Sequence, residues 1–290
     1  MEVRRPRLED AYAAVTVRPD GKVGTTLSAI PARPSPSDAE VVVHADGINR
    51  KVGNFTAVAD TTFAIRRGEI FGLLGPNGAG KTTTFRMLCG LLAPSGGEVE
   101  VAGYDLRTAK ADARKRLGYV AQRFSLYGKL TVTENLRYFG KSYGLHGALL
   151  KERVEGAIVG FGLEAQRDVT AATLSEGAKR DLSMSCALLH RPDILFWDEA
   201  TSGADLASRR AFWRRIVALS DLGTTVVVTT HFLEEAEYCD RFLIQDAGRV
   251  LVLGTPDEVR HRAAGGARSI EDAFLAIVRA FRAQPKEATS

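Results

Sequence analysis

The residues that could do chemistry begin with a glycine-rich stretch that matches the phosphate-binding pattern G-x-x-x-x-G-K-[ST]. Glycines let backbone N–H groups close around phosphate oxygens, and a helix that starts there adds the positive end of its dipole. The lysine would reach the β- and γ-phosphates, and the following hydroxyl would bind Mg²⁺. We therefore predict a nucleoside triphosphate site formed by Gly75, Pro76, Asn77, Gly78, Ala79, Gly80, Lys81, Thr82 and Thr83.

Two carboxylates, Asp198 and Glu199, follow an apolar run at 194–197. A carboxylate buried at a strand end is costly unless it meets a cation, so we expect Asp198 to share Mg²⁺ with Thr82. Glu199 is suited to polarise the water that attacks the γ-phosphate. Capping of the next helix is the structural alternative for this pair.

Gln122 and His231 each stand at the end of a predicted strand, which brings them to the same edge as the phosphate loop. We predict catalytic roles for both, together with Lys81 and Glu199. These four residues would supply charge compensation and an oriented water for hydrolysis of a γ-phosphate.

A Leu-Ser-Glu-Gly-Ala segment at 174–178 opens a predicted helix after a turn. The hydroxyl of Ser175, the N–H of Gly177 and the helix dipole could together bind an anion. Alone, such a segment is more often only a helix N-cap.

The elements that position these residues follow an alternating strand and helix pattern. It predicts a mostly parallel sheet covered on both faces, with ligands at the C-terminal ends of the strands. The predicted strands are 69–74, 117–122, 193–199 and 224–230, then a hairpin of 241–244 and 250–253; helices are predicted at 83–88, 208–219 and 234–238. Short predicted strands within 41–70, and a further one at 97–103, indicate an antiparallel sheet beside the phosphate loop. Residues 132–190 are helical in pattern, with capping-box spacing at Thr131 and Glu134.

The composition is that of an ordinary globular protein, with 45% apolar and 26% charged residues. The net charge of +4 suits an anionic membrane surface or nucleic acid but selects neither. The three cysteines lack metal-ligand spacing and fit a reducing cytosolic setting. We expect no signal peptide and no membrane span, so any membrane role would need a partner protein.

Three regions are predicted along the chain. Residues 1–39 are a leader with a Pro-rich linker, 40–262 are the main domain with a helical insert at about 125–190, and 263–290 are a helical tail. A short motif at 7–15 is repeated at 269–277. The repeat is either coincidence between two amphipathic helices or the tail of a preceding, similar domain.

The phosphate loop, Gln122, the Ser-x-Gly segment, the Asp-Glu pair, residues 202–205 and His231 occur in an order and spacing that resemble ABC-type ATPase subunits over roughly 41–260. Segments 130–136 and 230–237 are particularly similar to ABC-2-type exporters, including drug-export ATPases, and the repeat resembles members in which two ATPase halves are fused. The resemblance implies an α/β P-loop NTPase fold with a RecA-like core, an antiparallel β subdomain and a helical insert.

The resemblance also implies the ligands and partners. ATP and Mg²⁺ would be bound, with Gln122 joining Thr82 and Asp198 as a metal ligand. A second ATPase domain, in a homodimer or a tandem half, would close head to tail, so that Ser175, Gly177 and Asp205 also contact nucleotide. A membrane permease would dock on the insert, on the cytoplasmic, inner face of the membrane; no nucleic acid is expected.

Several positions depart from the family pattern. Glu176 stands where glycine is usual, near the expected γ-phosphate, and Ala200 and Ala204 replace residues of the usual segment after the Asp-Glu pair. Val52 stands where an aromatic residue usually stacks on adenine, and Phe55 is the nearby substitute. The expected function is therefore a transport ATPase subunit of an exporter; a low-turnover structural half and a soluble ABC protein acting on ribosomes or DNA are the alternatives.

Overall fold

The computed structural model describes residues 39–122, 125–199, 201–263 and 266–283. The predicted leader, apart from residue 39, and the N-terminal copy of the repeat lie outside the described residues. So do Ala200 and residues 284–290 of the predicted tail.

The central sheet has six strands in the order β10-β9-β3-β8-β7-β6. Neighbouring strands from β9 to β6 are parallel, and β10 pairs antiparallel with β9. Its strands are β3 Ile70–Leu74, β6 Leu117–Val120, β7 Ile194–Trp197, β8 Thr225–Thr230, β9 Arg241–Asp246 and β10 Arg249–Gly254. The register pairs Leu74 with Thr230 and Trp197 with Val228, so the C-terminal ends of these strands meet at one edge.

A second, antiparallel sheet has the order β2-β1-β4-β5. Its strands are β1 Val41–Val52, β2 Phe55–Arg66, β4 Gly96–Val101 and β5 Tyr104–Asp105. Its buried face packs on the central sheet in one apolar cluster, which includes Ile48, Ile65, Phe71, Phe85 and Phe196. The predicted antiparallel subdomain and mostly parallel sheet are both confirmed.

The helices cover the remaining surfaces of the sheets. They are α1 Lys81–Leu88, α2 Lys110–Lys115, α3 Val132–Ser142, α4 Gly147–Gly160, α5 Glu176–Leu188, α6 Leu206–Asp221, α7 Pro256–Arg262 and α8 Ile270–Ala283. On the other face of the central sheet, α6, α7 and α8 share an apolar cluster with the strands, and Trp197, Trp213 and Phe242 lie within it. Both faces of the sheet are therefore covered, as predicted.

Helix limits differ from the sequence prediction in three places. Helix α1 begins at Lys81, inside the phosphate loop, and α6 begins at Leu206 because Asp205 caps it by accepting the backbone N–H of Ser208. The predicted helix at 234–238 is a 3₁₀ helix, Leu233–Tyr238. Other 3₁₀ turns are Glu164–Gln166 and Ala171–Thr173.

The helical insert has its own apolar cluster, formed by α3, α4 and α5. The capping box predicted at the start of α3 is present: the Thr131 hydroxyl accepts the Glu134 N–H, and the Glu134 carboxylate accepts the Thr131 N–H. Across the described ranges, no helix combines the length and the apolar character that a bilayer span requires.

His190 joins the insert to the central sheet. Its ring stacks on Tyr143 with centroids 3.7 Å apart, and its Nε2 lies 3.1 Å from the Leu117 carbonyl oxygen. Burial lowers the pKa of His190 to about 4 from an ordinary value of 6.5. The ring is thus held neutral, with Nε2 as the donor to that carbonyl.

The unfolding free energy should fall as pH drops from 6.5 towards 4, because His190 becomes protonated in the unfolded chain and stays neutral in the folded chain. This contribution amounts to at most about 2 kcal/mol between pH 7.5 and pH 5. Denaturant unfolding of His190→Gln at both pH values should show a smaller pH dependence than the wild type, while exposed His44→Gln should leave it unchanged. Equal pH dependence in all three proteins would contradict the prediction.

Candidate active site

The phosphate loop fills the gap between β3 and α1, at the C-terminal edge of the sheet. Two of its glycines are held against neighbouring backbone. A Cβ on Gly75, whose φ is +149°, would come within 2.1 Å of the Gln245 carbonyl oxygen, and one on Gly80, at φ +104°, within 2.5 Å of the Ala57 carbonyl oxygen. Glycine is therefore required at both positions, and the loop is fixed from below by β9 and from the side by β2.

Gln245 supports the loop from beneath. It is fully buried, and its side-chain amide donates to Thr84 Oγ1 at 3.1 Å, in the first turns of α1. The next turn of the chain contacts the loop directly, because Gly248 N donates to the Ala79 carbonyl oxygen at 2.9 Å. The hairpin of β9 and β10 is thus the floor of the phosphate site.

Lys81 is only 5% exposed, and its Nζ donates to the carbonyl oxygens of Gly75 and Pro76 at 2.7 and 2.9 Å. Burial lowers the pKa of Lys81, and the nearby carboxylates of Glu199 and Asp198 oppose that shift. The structure thus brings Lys81 into the electrostatic field of both predicted carboxylates. A cation held inside a loop of backbone N–H groups is suited to bind phosphate oxygens.

Asp198 and Glu199 share one partner on the adjacent strand. Thr229 Oγ1 donates to Asp198 Oδ1 at 2.6 Å and accepts the backbone N–H of Glu199 at 2.8 Å. Asp198 is 3% exposed, while Glu199 lies just beyond the strand in the left-handed region, at φ +47°. The direction of Glu199 is therefore set by a backbone turn and by the hydrogen bond of its N–H to Thr229.

Gln122 follows β6 and reaches the carboxylate pair: its Nε2 donates to Glu199 Oε2 at 2.6 Å. His231 follows β8, directly after Thr230, and its ring packs on Phe232 with centroids 4.2 Å apart. Both residues lie at the C-terminal edge of the sheet with the phosphate loop, where the sequence places them. Their catalytic roles remain predictions.

A buried polar network joins the segment after Glu199 to the His231 turn. Thr201 Oγ1 donates to Glu235 Oε1 at 2.6 Å, and both side chains are 2% exposed. Arg209 of α6 lies 3.6 Å from the same carboxylate oxygen, and its guanidinium lies 4.0 Å from the Phe232 ring centroid. The backbone around His231 is therefore connected to α6 and to the loop after Glu199.

The tip of the β1–β2 hairpin carries the two residues predicted to face adenine. Val52 and Phe55 pair across the hairpin and are 60% and 66% exposed. Ala57, two residues along β2, is the residue whose carbonyl lies against Gly80. The hairpin thus leads from the phosphate loop to an exposed apolar pair, as a base-binding platform requires.

Ser175, Gly177 and Asp205 lie on other elements. Ser175 caps α5, with its Oγ accepting the Ala178 N–H at 3.2 Å, and Gly177 lies in the first turn of that helix. Asp205 caps α6 and also accepts the Ser208 hydroxyl at 2.7 Å. The structure gives Ser175 and Asp205 helix-capping roles and puts Ser175 and Gly177 on the insert, so any contact with nucleotide stays a prediction.

The donor set fits Mg²⁺, although nothing in the described part of the chain groups three or more His, Cys, Asp or Glu side chains for a metal. Mg²⁺ prefers oxygen ligands and is usually held by one or two protein groups together with substrate phosphates. The Thr82 hydroxyl, the Asp198 carboxylate and the amide oxygen of Gln122 are groups of this kind. The Gln122 amide nitrogen is already engaged with Glu199, so its oxygen remains as the possible metal ligand.

Sequence reasoning missed Thr229, Gln245 and Glu235. Thr229 belongs to a β-branched strand, and its type carries no local signal of a contact with Asp198. Gln245 gives a weak signal, because it is a polar residue that directly follows the apolar run 242–244 of β9. Glu235 lies in a short helix rich in carboxylates, where burial of one of them could not be foreseen.

Known proteins that are similar to this chain are ATP-binding proteins of ABC transporters and exporters. A family model described as ABC transporter matches residues 58–202. The probable multidrug ABC transporter ATP-binding protein YbhF of Escherichia coli (strain K12) is 44% identical over 279 residues, which cover 94% of this chain and 48% of that protein. Nod factor export ATP-binding protein I of Ralstonia nicotianae is 40% identical over 219 residues, covering 75% of this chain and 68% of that protein. A solved structure of an ATP-binding subunit of an ABC transporter is 29% identical, with TM-score 0.75, and covers 82% of this chain and 99% of its own.

The fold is that of the P-loop ATPase class, with the RecA-like core, antiparallel β subdomain and helical insert predicted from the sequence. The chain belongs to the ABC transporter family. It spans about half the length of YbhF.

Replacing Thr229 with valine should lower kcat for ATP hydrolysis by about tenfold, because it removes the hydroxyl that orients Asp198 and Glu199 and leaves a buried carboxylate oxygen without that donor. Thr229→Ser keeps the hydroxyl and should stay within about twofold of the wild type. Steady-state Mg-ATPase assays, with nucleotide affinity measured in parallel, test this. A valine variant with the wild-type kcat would show that Thr229 does not position the pair.

Proposed function

We propose that this chain hydrolyses Mg-ATP and powers an exporter through closure with a second ATPase domain. The observation that carries the proposal is the convergence of Lys81, Asp198, Glu199 and Gln122 at one edge of the sheet, in a chain of the ABC transporter family. Relatives named for drug and Nod factor export support export as the direction of transport.

In this proposal the phosphate loop and Lys81 bind the triphosphate tail, and the Glu199 carboxylate orients a water and accepts its proton. The water oxygen bonds to the γ-phosphorus, the bond to the bridging β–γ oxygen breaks, and ADP and phosphate leave. Mg²⁺, bound by Thr82, Asp198 and Gln122, would offset charge on the phosphates. His231 completes the site from the end of β8.

The partners complete the mechanism. A second ATPase domain, either another copy or a tandem half, would offer its Ser175, Gly177 and Asp205 positions across the nucleotide, and a permease would dock on the helical insert near Gln122. This places the chain at the cytoplasmic face of the membrane, with no nucleic acid partner. An exposed aromatic pair supports the docking site: Tyr127 and Tyr138 are 45% and 44% exposed, with their hydroxyls 2.8 Å apart.

The transport role is tested by expressing the full chain together with the membrane proteins encoded beside its gene. Movement of the chain to the membrane fraction, with stimulation of its ATPase activity by the membrane protein, supports the proposal. Co-sedimentation with ribosomes, without membrane association, would instead support a non-transport ABC ATPase and overturn the export role.

Glu199→Gln should lower kcat for ATP hydrolysis by at least about a hundredfold, because an amide cannot accept the water proton. The affinity for Mg-ATP should be retained, since Lys81 and the loop are unchanged. Glu234→Gln is the matched control and should leave kcat unchanged, because this side chain is 81% exposed in the short helix that follows His231.

The same assays distinguish the second candidate, a low-turnover ATP-binding half. The departure from the family pattern at Glu176, where glycine is usual, is the sequence feature that raises this candidate. Turnover of the complete assembly that is insensitive both to Glu199→Gln and to Lys81→Ala in this chain would support it and would contradict the proposed ATPase role.

Phe55→Ala should weaken ATP binding at least about fivefold, because stacking of a base on an aromatic ring contributes about 1–3 kcal/mol. Affinity for inorganic tripolyphosphate should not change, since that ligand has no base. Leu91→Ala, at another exposed apolar residue, serves as the control, with its side chain 47% exposed. Equal loss of ATP and tripolyphosphate affinity in Phe55→Ala would contradict the assignment of Phe55 to the base.

A further inference from the structure

The C-terminal helix α8 reaches the floor of the phosphate site through one ion pair. Arg282, in its last turn, donates from Nε to Asp246 Oδ2 at 2.8 Å and from Nη2 to Asp246 Oδ1 at 3.2 Å. The Asp246 side chain is 7% exposed, whereas that of Arg282 is 62% exposed. The Arg282 guanidinium thus forms a bidentate ion pair with a buried carboxylate at the end of β9.

Asp246 also holds an uncommon turn. Its Oδ1 accepts the backbone N–H of Ala247 at 3.0 Å. Ala247 and Gly248 both have positive φ, +47° and +77°, which is the backbone of a two-residue hairpin turn usually built from Asn and Gly. Alanine does not favour this conformation, so the carboxylate supplies the contact that stabilises it.

This turn is in direct contact with the phosphate loop. Gly248 N donates to the Ala79 carbonyl oxygen at 2.9 Å, and the Gly248 carbonyl oxygen accepts Ala59 N at 2.8 Å. The residue before Asp246 is Gln245, whose carbonyl oxygen excludes any side chain at Gly75. A shift of the turn therefore moves the backbone that positions the phosphate-binding N–H groups.

Helix α8 is well placed to fix this turn. Ile270 and Ala273 are buried in the apolar cluster that contains Phe242 and Ile244 of β9, and Val278 is 8% exposed. The helix is therefore anchored to the strand that ends in Asp246, and Arg282 is presented from its final turn.

We propose that Arg282 and Asp246 are positioning residues for the phosphate loop, through which the C-terminal helix sets the affinity for ATP. The inference rests on the proposed ATP site. It assigns to the tail a role in nucleotide binding, while the chemical step stays with Glu199, which follows β7. Loss of the ion pair therefore weakens binding and spares kcat.

The test measures the dissociation constant for Mg-ATP and the steady-state KM and kcat of the full chain. Arg282→Ala should raise the dissociation constant and KM about three- to tenfold, because the buried Asp246 loses its charge partner, and kcat at saturating ATP should stay within about twofold. Arg282→Lys keeps the charge and should lie between the wild type and the alanine variant. Arg279→Ala, exposed one turn earlier on α8, should behave as the wild type.

Asp246→Asn is the second variant, for the case in which Arg282→Ala fails to fold. It removes the buried charge while keeping the shape and should also raise KM with little change in kcat. In the double variant, the rise in KM should not exceed the larger of the two single effects, because the two residues act as one unit.

The outcomes separate the two proposals. Lys81→Ala is assayed alongside: failure of the wild type to bind Mg-ATP, or no loss of binding in Lys81→Ala, overturns the ATP site itself. Normal ATP binding by the wild type, with Arg282→Ala and Asp246→Asn lowering only the melting temperature and leaving the dissociation constant unchanged, overturns the positioning role alone.

Discussion

The structure depends on the burial of opposite charges at one edge of a parallel sheet. Lys81 and Asp198 are 5% and 3% exposed, and each would be costly to bury without compensation. Backbone carbonyls of the loop and the Thr229 hydroxyl satisfy part of this need, and the effect of the carboxylates on the pKa of Lys81 shows that the charges also compensate one another. In the proposed function, a triphosphate with its metal ion would add both signs of charge to the same place, so that binding and catalysis would share one site.

The need to compensate the buried charges of Lys81 and Asp198 explains the arrangement of the surrounding elements. Strand β8 lies between β3 and β7, so Thr229 can reach the carboxylates of one neighbour while the loop follows the other. The β9–β10 hairpin then fixes the loop from beneath. The network of Thr201, Glu235 and Arg209 fixes the turn that carries His231. Each predicted catalytic residue is held by residues on a different element, so a rearrangement of one element would shift several of them.

The local parts of this arrangement could be predicted from the sequence. Apolar runs interrupted by glycine predicted the strands and the phosphate loop, and capping-box spacing predicted Thr131 as the N-cap that precedes α3. Contacts between distant segments could not be predicted, because a threonine in a β-branched strand or a glutamate in an acidic helix has no local feature that names its partner. The positive φ of Glu199 could not be predicted for the same reason, because the backbone N–H of Glu199 donates to Thr229, thirty residues away.

Glu176 departs from the family pattern, but its charge is compensated by a neighbouring residue. A carboxylate in the first turn of a helix is stabilised by the helix dipole, but it opposes the binding of a phosphate there. Here its side chain is 74% exposed and pairs with Lys179, with Nζ 2.9 Å from Oε1. The two charges cancel within the first turn of α5, which leaves the N–H groups and dipole of that helix as the net field at Ser175. Repulsion by Glu176 is therefore no physical ground for excluding an anion from this face, and the loss of the usual glycine does not by itself imply an inactive half.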